Sequence, residues 1–445
     1  MKILQIGVLG YGNVGKGVVD YFLNANNENS ERYKLAAVGT KKDGPRNITI
    51  SPGLGKADLP IFTTNPLEDI VRNPEIDIIV DAVGGSAKYD ASSLQHIEES
   101  LKNKKHVVTA NKQNVARNLA NLTQLANANE VNLRFEAAVC GGIPIIKQMR
   151  QYFAHDQITK IVGIINGTSN YILTQMSRGM SREEATKQAQ DKGYAEADPT
   201  SDLNGKDAAA KLAILASLAF RTHITTDMIS TEGIDKITSA DIFYMERLAD
   251  YTGKYHSLKQ VAVAKRTENG LELSVHPAYI SEDHPLFGTN EAINAITIVG
   301  QHGGTYTFKG PGAGSKPTAF AVISDIMEIG SQIEEGTYDN FSSFSKKIEI
   351  LKNGKSKGYI RSNSPEHEIG AFARKLTVLA EHELDVSQVY NFPPRMAVGE
   401  EKLTPDIISI EEANEKKIKA ALKVLFEKKY TQGDVVYVRE EATTF

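Results

Sequence analysis

Short apolar runs alternate with amphipathic stretches along the amino-terminal third of the chain. Ile3 to Leu9 is an apolar run, interrupted only by Gln5, that ends in glycine, which is typical of a strand buried on both faces of a parallel sheet. Further strands are predicted at Tyr33–Val38, Ile76–Val83 and His106–Thr109, and helices at Lys16–Leu23, Ala91–Leu101 and Ala116–Asn127. This alternation predicts an α/β protein that begins with a Rossmann-like, doubly wound parallel sheet.

The pattern changes beyond Glu136, where strands and helices no longer alternate regularly. The elements predicted there are strands at Ile158–Asn166 and Leu271–Val275 and helices at Arg182–Gln190, Lys206–Arg221 and Thr318–Ile329. We interpret this part of the chain as an α+β domain.

The carboxy-terminal part carries its own short pattern. Residues 343–358 are polar and lysine-rich, which is typical of a linker. The elements predicted around and after it, Tyr359–Arg361, Ala371–His382, Val386–Tyr390, Asp406–Ile410 and Glu412–Lys428, suggest a small βαββαβ module. The predicted domains are therefore residues 1–135 (completed by about 305–340), 136–304 and 355–435.

Composition excludes several classes of protein. A net charge of −4 gives no electrostatic basis for binding nucleic acid or an anionic membrane. A single cysteine, Cys140, excludes an intramolecular disulfide and a cysteine-rich metal site. There is neither a signal-peptide pattern at the amino terminus nor an apolar run near the ~20 residues that span a bilayer. We expect a soluble, cytoplasmic protein.

Charged residues are unusually dense between Gly193 and Ala216. The segment holds Glu196, Asp198, Asp202, Asp207, Lys206 and Lys211. Asp207 and Lys211 are four residues apart, so on a helix they share one face, and the same helix continues into the apolar run LAILASLAF. An ordinary surface ion pair would give the same spacing. A carboxylate and an ammonium where a helix enters the core are, however, candidates for catalysis.

A glycine-rich turn links the first predicted strand to the first predicted helix. Gly10, Gly12 and Gly15 form G-x-G-x-x-G in this position. The glycines allow the turn, the approach of a pyrophosphate and the packing of helix on strand, and the helix N-terminus attracts phosphate. A plain glycine turn is the alternative, but the surrounding βαβ pattern favours dinucleotide binding.

The end of the second strand bears on cofactor choice. An acidic residue there would bind the ribose of NAD, whereas cations suit the 2′-phosphate of NADP. This chain has Lys41 and Lys42 shortly after Gly39, with no acid at the strand end. NADP is favoured and NAD stays possible, since two solvated lysines would give the same sequence.

Three further segments could line a binding site. Gly84 and Gly85 follow a strand at the carboxyl edge of the sheet, where ligands bind in such folds. Lys112 follows Thr109 at the end of the next strand, where it is either a surface cation or directed at a reacting carbonyl. Asn166 to Tyr171 is either a capped helix start or a pocket wall that offers backbone donors.

Taken together, these motifs resemble the homoserine dehydrogenase family over almost the whole chain. The resemblance is carried by G-x-G-x-x-G, by VVTANK at Val107–Lys112, EAAVCGGIPII at Glu136–Ile146, NGTSNYIL at Asn166–Leu173, GYAEADPTSDLNGKDAAAK from Gly193, and GPGAGSKPTA at Gly310–Ala319. It implies reversible NAD(P)H-dependent reduction of L-aspartate 4-semialdehyde to L-homoserine, in the biosynthesis of threonine, methionine and isoleucine.

The resemblance also implies roles for individual residues. Lys211 and Lys112 are the candidate proton donors, and Asp207 would orient the substrate or Lys211. The implied substrate-binding residues are Glu196, Asp202, Gly167, Thr168 and Tyr194. The implied cofactor-binding residues are Gly10, Gly12, Asn13, Val14, Gly15, Lys41, Gly84, Thr109, Lys112 and Gly312. A homodimer or homotetramer assembled through the middle domain is implied as well.

A monovalent cation, usually sodium, is implied at the loop that begins with Glu136. Its ligands would be Glu136 and the carbonyl groups of Val139, Gly141 and Ile143, a hard all-oxygen set. Cys140 departs from the family pattern, which has glycine or another small residue there. A side chain restricts φ at this position. We expect Cys140 to be a small buried side chain and not a nucleophile.

The module after residue 355 resembles an ACT domain, a small amino-acid-sensing fold. Glu368-Ile369-Gly370 would be a shortened form of its ligand-binding turn. The resemblance implies either an amino-acid effector such as threonine or a role in assembly alone. Two rival interpretations are another Rossmann dehydrogenase acting on an amino-acid aldehyde or imine, and a non-catalytic amino-acid sensor. The lysines of TANK and DLNGKDAAAK argue against the first, and the presence of Lys112, Glu196, Asp207 and Lys211 argues against the second.

Overall fold

A computed structural model describes residues 2–24, 31–39, 62–64, 67–84, 87–341, 343–352, 354–365, 370–391 and 403–443. The chain divides into two compact units. The first comprises Met1–Gln157, Ala210–Thr226 and Gly310–Lys347, and the second comprises Ile158–Ala209, Asp227–Lys309 and Ile348–Phe445.

The amino-terminal elements belong to the first unit. They are β1 (Leu4–Leu9), α1 (Asn13–Leu23), β2 (Tyr33–Gly39), β3 (Phe62–Thr64), α2 (Glu68–Arg72), β4 (Ile78–Asp81), α3 (Ala87–Lys102), β5 (His106–Thr109), α4 (Lys112–Ala128), β6 (Leu133–Arg134) and α5 (Ile145–Gln151). Their six strands form one parallel sheet in the order β3-β2-β1-β4-β5-β6. This is the strand order of a doubly wound dinucleotide-binding fold, so the predicted Rossmann-like sheet is confirmed.

The middle elements follow. They are β7 (Ile158–Ile164), α6 (Gly167–Met176), α7 (Arg182–Asp191), α8 (Thr200–Leu203), α9 (Lys206–Phe220), β8 (Ser230–Thr231), α10 (Ser239–Thr252), β9 (His256–Thr267), β10 (Gly270–Ser281), β11 (Ile293–Gly300), β12 (Gly304–Pro311) and α11 (Ser315–Glu335). Helix α9 contributes residues to both units, and α11 belongs to the first. There α11 packs on α1 so closely that a Cβ on Gly17 would lie 2.7 Å from the Cβ of Ala319.

The carboxy-terminal elements complete the second unit. They are β13 (Ile350–Leu351), β14 (Lys355–Pro365), α12 (Ala371–Glu381), β15 (Val386–Asn391), β16 (Leu403–Asn414), α13 (Glu415–Glu427) and β17 (Val436–Glu440). From β14 onward they have the predicted βαββαβ order, with β17, β14, β16 and β15 adjacent in the sheet. Their core consists of apolar residues from both helices and all four strands.

The βαββαβ module does not have a sheet of its own. Strand β17 pairs in parallel with β10 through Ala278–Arg439 and Tyr279–Glu440, so within the described residues one sheet of eleven strands is formed. Nine of them follow the order β12-β11-β7-β9-β10-β17-β14-β16-β15, and β8 and β13 also pair with β10. The described residues of 343–358, the segment predicted as a linker, are part of the ordered structure. The carbonyl of Glu349 accepts a hydrogen bond from the N–H of Leu271, and β14 starts within the segment. Among the described residues, no helix is long and apolar enough to cross a membrane.

Candidate functional site

The turn after β1 shows which of its glycines the fold itself requires. Gly10 has a φ of +96°, and a Cβ there would lie 2.7 Å from the carbonyl oxygen of Ala82. A Cβ on Gly15 would lie 2.0 Å from the carbonyl oxygen of Gly10. A Cβ on Gly12, by contrast, would meet no described atom within 4 Å. The fold therefore explains Gly10 and Gly15, and Gly12 leaves space that a bound pyrophosphate can use.

Helix α1 begins directly at this turn. Gly12 is its N-cap and Lys16 donates its backbone N–H to the Gly12 carbonyl, so the first turn presents its N-terminal N–H groups at the glycine loop. The Ser315 hydroxyl donates to the carbonyl of Asn13 at 2.6 Å and fixes the helix start to α11. Val14 packs against the core behind it. The arrangement is an anion site of the kind that binds a dinucleotide phosphate.

Alanine at Gly12 and at Gly15 should have different effects. Gly12→Ala should leave the free energy of unfolding nearly unchanged and raise the Kd for NADPH by about tenfold or more, because its methyl group enters the phosphate space. Gly15→Ala should cost on the order of 3 kcal/mol of stability as well, because its methyl group would overlap backbone. Denaturant titration and fluorescence titration with NADPH measure the two quantities. Equal affinity of Gly12→Ala and wild type would contradict the assignment.

A buried carboxyl group organises the neighbouring strand ends, and sequence reasoning did not assign it a role. Asp81, at the end of β4, is fully buried and accepts hydrogen bonds from the Ser93 hydroxyl at 2.8 Å and the Thr109 hydroxyl at 2.7 Å. Burial raises its pKa to about 6, although these hydrogen bonds oppose the shift. The Thr109 oxygen also accepts from the backbone N–H of Asn111 at 3.0 Å. Because the Thr109 hydroxyl proton is committed to Asp81, the hydroxyl group cannot also donate a hydrogen bond to a cofactor.

Lys112 is not at the end of a strand, as the sequence suggested, but is the first residue of α4. The Asn111 side chain caps this helix by accepting from the backbone N–H of Asn114 at 3.1 Å. Asn111 also donates to the carbonyl of Val83 at 3.1 Å, which ties the start of α4 to the residue before Gly84. The Lys112 side chain is half-buried, and the space around Gly84 is open, since a Cβ there would meet no described atom within 4 Å.

Lys41, the cation predicted to face the 2′-phosphate of NADP, lies outside the described residues. The strand before it, β2, ends at Gly39 and pairs with β1 in the centre of the sheet. The preference between NADP and NAD therefore stays a prediction from the sequence.

In the second unit, one buried amide joins two of the predicted substrate carboxylates. The side-chain nitrogen of Asn166 donates to Asp202 Oδ1 at 2.6 Å and to Asp207 Oδ2 at 2.8 Å. Its oxygen caps α6 by accepting from the backbone N–H of Ser169 at 2.7 Å. Asn166 and Asp207 are buried and Asp202 is half-buried. The capped helix start that the sequence offered for Asn166 to Tyr171 is confirmed, with Asn166 as the cap, but the bridge between the two carboxylates was not predicted.

The other predicted substrate residues lie around the start of α6. Thr168 donates its hydroxyl proton to the carbonyl of Tyr194 at 2.7 Å. Gly167 approaches another loop closely, since a Cβ there would lie 2.9 Å from the carbonyl oxygen of Ala292. Glu196 is exposed, and its backbone carbonyl accepts from the Gln190 side chain at 3.3 Å. The described contacts thus join Thr168 to Tyr194 but do not join Glu196 to this pair or to the bridged carboxylates.

Helix α9 carries both members of the predicted acid–lysine pair. Asp207 is its second residue, and Lys211 follows one turn later, so both lie on one face. Both side chains are buried, whereas Lys206 at the start of the same helix is exposed. The helix is preceded by Gly205, whose φ of +82° lets the chain turn sharply between α8 and α9. Burial of Lys211 fits a chemical function better than the surface ion pair that is its alternative.

Another buried lysine, Lys259, was not found from the sequence. Its Nζ donates to the carbonyl of Thr289 at 2.6 Å, to Asn290 Oδ1 at 2.9 Å and to Asn170 Oδ1 at 3.2 Å. The Asn170 side chain, on α6, donates to three carbonyls of the same loop, including that of Glu291 at 2.9 Å. Lys259 and Asn170 therefore hold the loop 289–293 against α6. No motif marks Lys259, because its sequence context is that of an ordinary strand.

Lys259 should make stability pH-dependent. Burial, aided by the charge of Lys309, lowers the pKa of Lys259 to about 7, whereas an unfolded lysine titrates near ~10.4. Between these values the unfolded chain binds more protons, so this group makes stability rise with pH by up to about 1.4 kcal/mol per unit. Urea titrations between about pH 7 and pH 9 should show that Lys259→Met loses this part of the slope. Lys265→Met, at an exposed lysine on the same strand, should retain it. Identical slopes in both variants would contradict the prediction.

The loop after β6 contains the predicted cation ligands. Both carboxylate oxygens of Glu136 accept backbone N–H groups at the start of α5, from Ile146 at 2.8 Å and Lys147 at 2.7 Å. Burial, and then the charge of Asp325, raises the pKa of Glu136. The carbonyl of Ile143 accepts a hydrogen bond from the backbone N–H of Ile145 at 2.8 Å. The predicted oxygen ligands thus belong to one loop, but Glu136 and Ile143 already accept hydrogen bonds from protein N–H groups.

Cys140 lies within the same loop. Its φ is +51°, in the left-handed region that favours glycine, and its side chain is buried. The carbonyl of Cys140 accepts from the N–H of Ile143 at 2.8 Å, and a Cβ on Gly141 would lie 2.7 Å from the Thr318 hydroxyl oxygen. A left-handed residue and a close approach therefore shape the turn. Cys140 is buried, as we expected for a small side chain in this loop.

Known proteins similar to this chain in sequence and in structure agree with the dinucleotide-binding fold described above. A family model described as homoserine dehydrogenase matches residues 144–327, and one described as homoserine dehydrogenase, NAD binding domain, matches residues 10–136. Homoserine dehydrogenase of Pseudomonas aeruginosa is 33% identical over 99% of both chains, and that of Bacillus subtilis is 34% identical over 88% of both. The crystal structure of a homoserine dehydrogenase from Thiobacillus denitrificans covers 100% of this chain and 99% of its own, with a TM-score of 0.84 and 31% identity. The chain belongs to the homoserine dehydrogenase family and is an NAD(P)-dependent oxidoreductase.

Proposed function

We propose that this chain catalyses the reversible reduction of L-aspartate 4-semialdehyde to L-homoserine, in the biosynthesis of threonine, methionine and isoleucine. The observation that carries the proposal is the pair Asp202 and Asp207, bridged by the Asn166 amide. An α-amino acid substrate presents an ammonium group, which binds best where carboxylates are held in place. Asp202 and Asp207 meet that requirement, and Glu196 is the proposed additional partner of the ammonium.

The substrate carboxylate requires hydrogen-bond donors. Helix α6 starts at Gly167, and Thr168 lies in its first turn, so backbone N–H groups and the positive end of the helix dipole are available there. Asn166 fixes this helix start and the carboxylate pair at the same time. Gly167, Thr168 and the neighbouring Tyr194 are therefore our proposed contacts to the substrate carboxylate.

A lysine is the proposed donor of the proton that the carbonyl oxygen of the substrate gains in the reduction. The reduced nicotinamide, when bound, supplies a hydride to the aldehyde carbon, and the oxygen then gains negative charge that an acid must neutralise. Lys211 and Lys112, which belong to the same unit, are the candidate donors. We favour Lys211, because it is buried and shares a helix face with Asp207, which would keep it oriented.

We further propose a preference for NADP. Its support is the sequence after β2, where Lys41 and Lys42 follow and β2 itself ends at Gly39 without an acidic residue. Comparing kcat/KM for NADPH and NADH tests it, and a strong preference for NADH would overturn it. The proposed backbone contacts to the dinucleotide are those of Asn13, Val14, Gly84 and Gly312.

A monovalent cation, with sodium as the first to test, stays a proposal for the loop of Glu136, Val139, Gly141 and Ile143. A hard cation suits carboxylate and carbonyl oxygens. Because Glu136 and Ile143 already accept N–H groups, the support rests on the oxygen chemistry and not on a preformed cage. Activity in sodium chloride, potassium chloride and choline chloride at equal ionic strength tests it, and identical rates in all three would overturn it.

We propose an amino-acid-binding regulatory role for the ACT-like residues 355–435, and assembly as a homodimer or homotetramer. Glu368 and Ile369 lie outside the described residues, and Gly370, with a φ of +79°, caps α12. Deleting the module would expose the edge of β10 that β17 covers, so a deletion is a poor test. Inhibition of the full chain by threonine and by methionine is the better one. Indifference to both would leave assembly as the module's role.

The central experiment is NADPH oxidation by the wild-type chain with L-aspartate 4-semialdehyde. Oxidation should depend on both compounds and should yield homoserine, identified by mass. Succinic semialdehyde, which lacks the amino group, is the matched control and should react far more slowly. The proposal fails if L-aspartate 4-semialdehyde gives no oxidation above the rate without substrate.

A further inference from the structure

Residues 232–241 comprise the connection between β8 and α10 and the first turn of α10, and we name them the clamp segment. Its backbone is hydrogen-bonded to β10, because Glu232 donates its N–H to the carbonyl of Val275 at 2.7 Å. Ile234 and Ile237 are buried in the core around α6 and α7. The clamp segment is thus an ordered part of the sheet-and-helix core.

One side of the clamp segment packs on the turn between the two substrate carboxylates. Ile234 donates its N–H to the carbonyl of Leu203 at 2.7 Å. A Cβ on Gly233 would lie 2.1 Å from that carbonyl oxygen, so only glycine permits the approach. Leu203 ends the helix that carries Asp202, and the turn leads directly to the helix that carries Asp207. The clamp segment therefore fixes the chain between the two carboxylates.

The other side of the clamp segment is held by two arginines from the carboxy-terminal strands. Arg439, on β17, donates to both oxygens of Glu232, at 2.8 and 2.9 Å. Arg361, on β14, donates from Nε to both oxygens of Asp241, at 2.9 and 3.0 Å, and from Nη2 to the carbonyl of Lys236 at 2.7 Å. The two parallel bonds between Arg439 and Glu232 fix orientation as well as distance. Arg361 shares its single Nε–H between the two oxygens of Asp241, and its bond to Lys236 adds a second attachment.

Arg439 is itself rigidly placed. It is buried and donates to Glu415, at the start of α13, at 2.6 and 3.0 Å. Burial alone would raise the pKa of Glu415, but the hydrogen bonds and charge of Arg439 lower it to about 2. Glu415 therefore stays ionised beside Arg439 at neutral pH, and the pairing of Arg439 with Glu232 joins β17 to the clamp segment.

We infer that Glu232 is a positioning residue for the substrate. It links the rigidly held Arg439 to the clamp segment, and the clamp segment in turn holds the turn between Asp202 and Asp207 in place. The inference rests on the proposed function, since it takes these carboxylates to be the ammonium site. It assigns the carboxy-terminal strand β17 a role in substrate affinity, independent of any effector.

Glu232→Ala tests the inference while leaving the buried Arg439–Glu415 pair in place. The Glu232 side chain is 36% exposed, so its loss leaves the fold intact. KM for L-homoserine should rise roughly 3- to 20-fold, with KM for NADP⁺ unchanged. Glu232→Gln, which keeps one acceptor for Arg439, should lie between Glu232→Ala and wild type. Lys236→Ala is the matched control, because it removes an exposed ion pair with Asp434 from the same segment.

Hydrogen–deuterium exchange supplies a readout that needs no catalysis. Peptides covering residues 200–209 should exchange about fivefold faster in Glu232→Ala than in wild type or Lys236→Ala. Suppose that wild type does not oxidise homoserine but residues 200–209 still exchange faster in Glu232→Ala than in wild type. The proposed function would then be refuted, whereas the attachment of the clamp segment to these residues would stand. An unchanged KM for homoserine in Glu232→Ala would overturn the inference, whether or not exchange accelerates.

Discussion

Replacing Lys211 by alanine is expected to lower kcat for the reduction of L-aspartate 4-semialdehyde by about 10²- to 10⁴-fold, the usual contribution of a positioned general acid. Lys211 is buried in α9, one turn beyond Asp207, and lysines are seldom buried unless they are paired. The Kd for NADPH should change little. Steady-state kinetics with NADPH, together with fluorescence titration of the cofactor, measures both effects.

Lys206→Ala is the control for the loss of a lysine from the same helix. Lys206 is exposed at the start of α9, so its replacement should leave kcat within about twofold of wild type. Lys112→Ala decides between the two candidate donors. Should Lys112→Ala lose more of kcat than Lys211→Ala, the proton donor would be Lys112, and equal rates for Lys211→Ala and wild type would refute the role given to Lys211.

Asn166→Ala is expected to lower kcat/KM for homoserine by about 10²-fold. The substitution removes the amide that bridges Asp202 and Asp207, at 2.6 and 2.8 Å, and leaves two neighbouring carboxylates to repel each other. It also removes the cap of α6, which costs about 1 kcal/mol of stability. Most of the kinetic loss should appear in KM, because the substitution disorders the ammonium site. A smaller part should appear in kcat, because Asp207 also orients Lys211.

Asn204→Ala provides a matched control nearby. Asn204 accepts the N–H of Lys206 at 3.1 Å and so supports the start of α9 without bridging carboxylates. It should reduce stability slightly and leave KM for homoserine within about twofold of wild type. If Asn166→Ala and Asn204→Ala had the same KM, the bridged pair would not be the ammonium site.

The dinucleotide-binding half of the fold was predictable because its signals are local. β5 was predicted at its observed bounds, and β1 and β2 within one residue, since each is a short, largely apolar segment between polar or glycine-rich ones. Gly10 and Gly15 were predictable for the same reason, as each is required by a turn between adjacent elements. Lys112 was misplaced by one element, because the helix begins at once after the cap at Asn111.

Contacts between distant segments could not be predicted from the sequence. Asn166 lies 36 and 41 residues from the carboxylates that it bridges, and nothing in its motif distinguishes a bridge from a helix cap. The pairing of β10 with β17 joins Ala278 to Arg439, so the carboxy-terminal module could only be predicted as a separate body. Lys259 stands in a strand of mixed polarity, and its burial depends on carbonyls of a loop about thirty residues away.

The most direct test of the proposed ammonium site compares two alcohols as substrates of the wild-type enzyme with NADP⁺. L-Homoserine and 4-hydroxybutanoate share the reacting hydroxyl and the carboxylate and differ only in the amino group. If Asp202 and Asp207, bridged by Asn166, recognise the ammonium, kcat/KM for homoserine should exceed that for 4-hydroxybutanoate by about 10³-fold or more. Comparable values for the two compounds would show that these carboxylates do not select an amino acid.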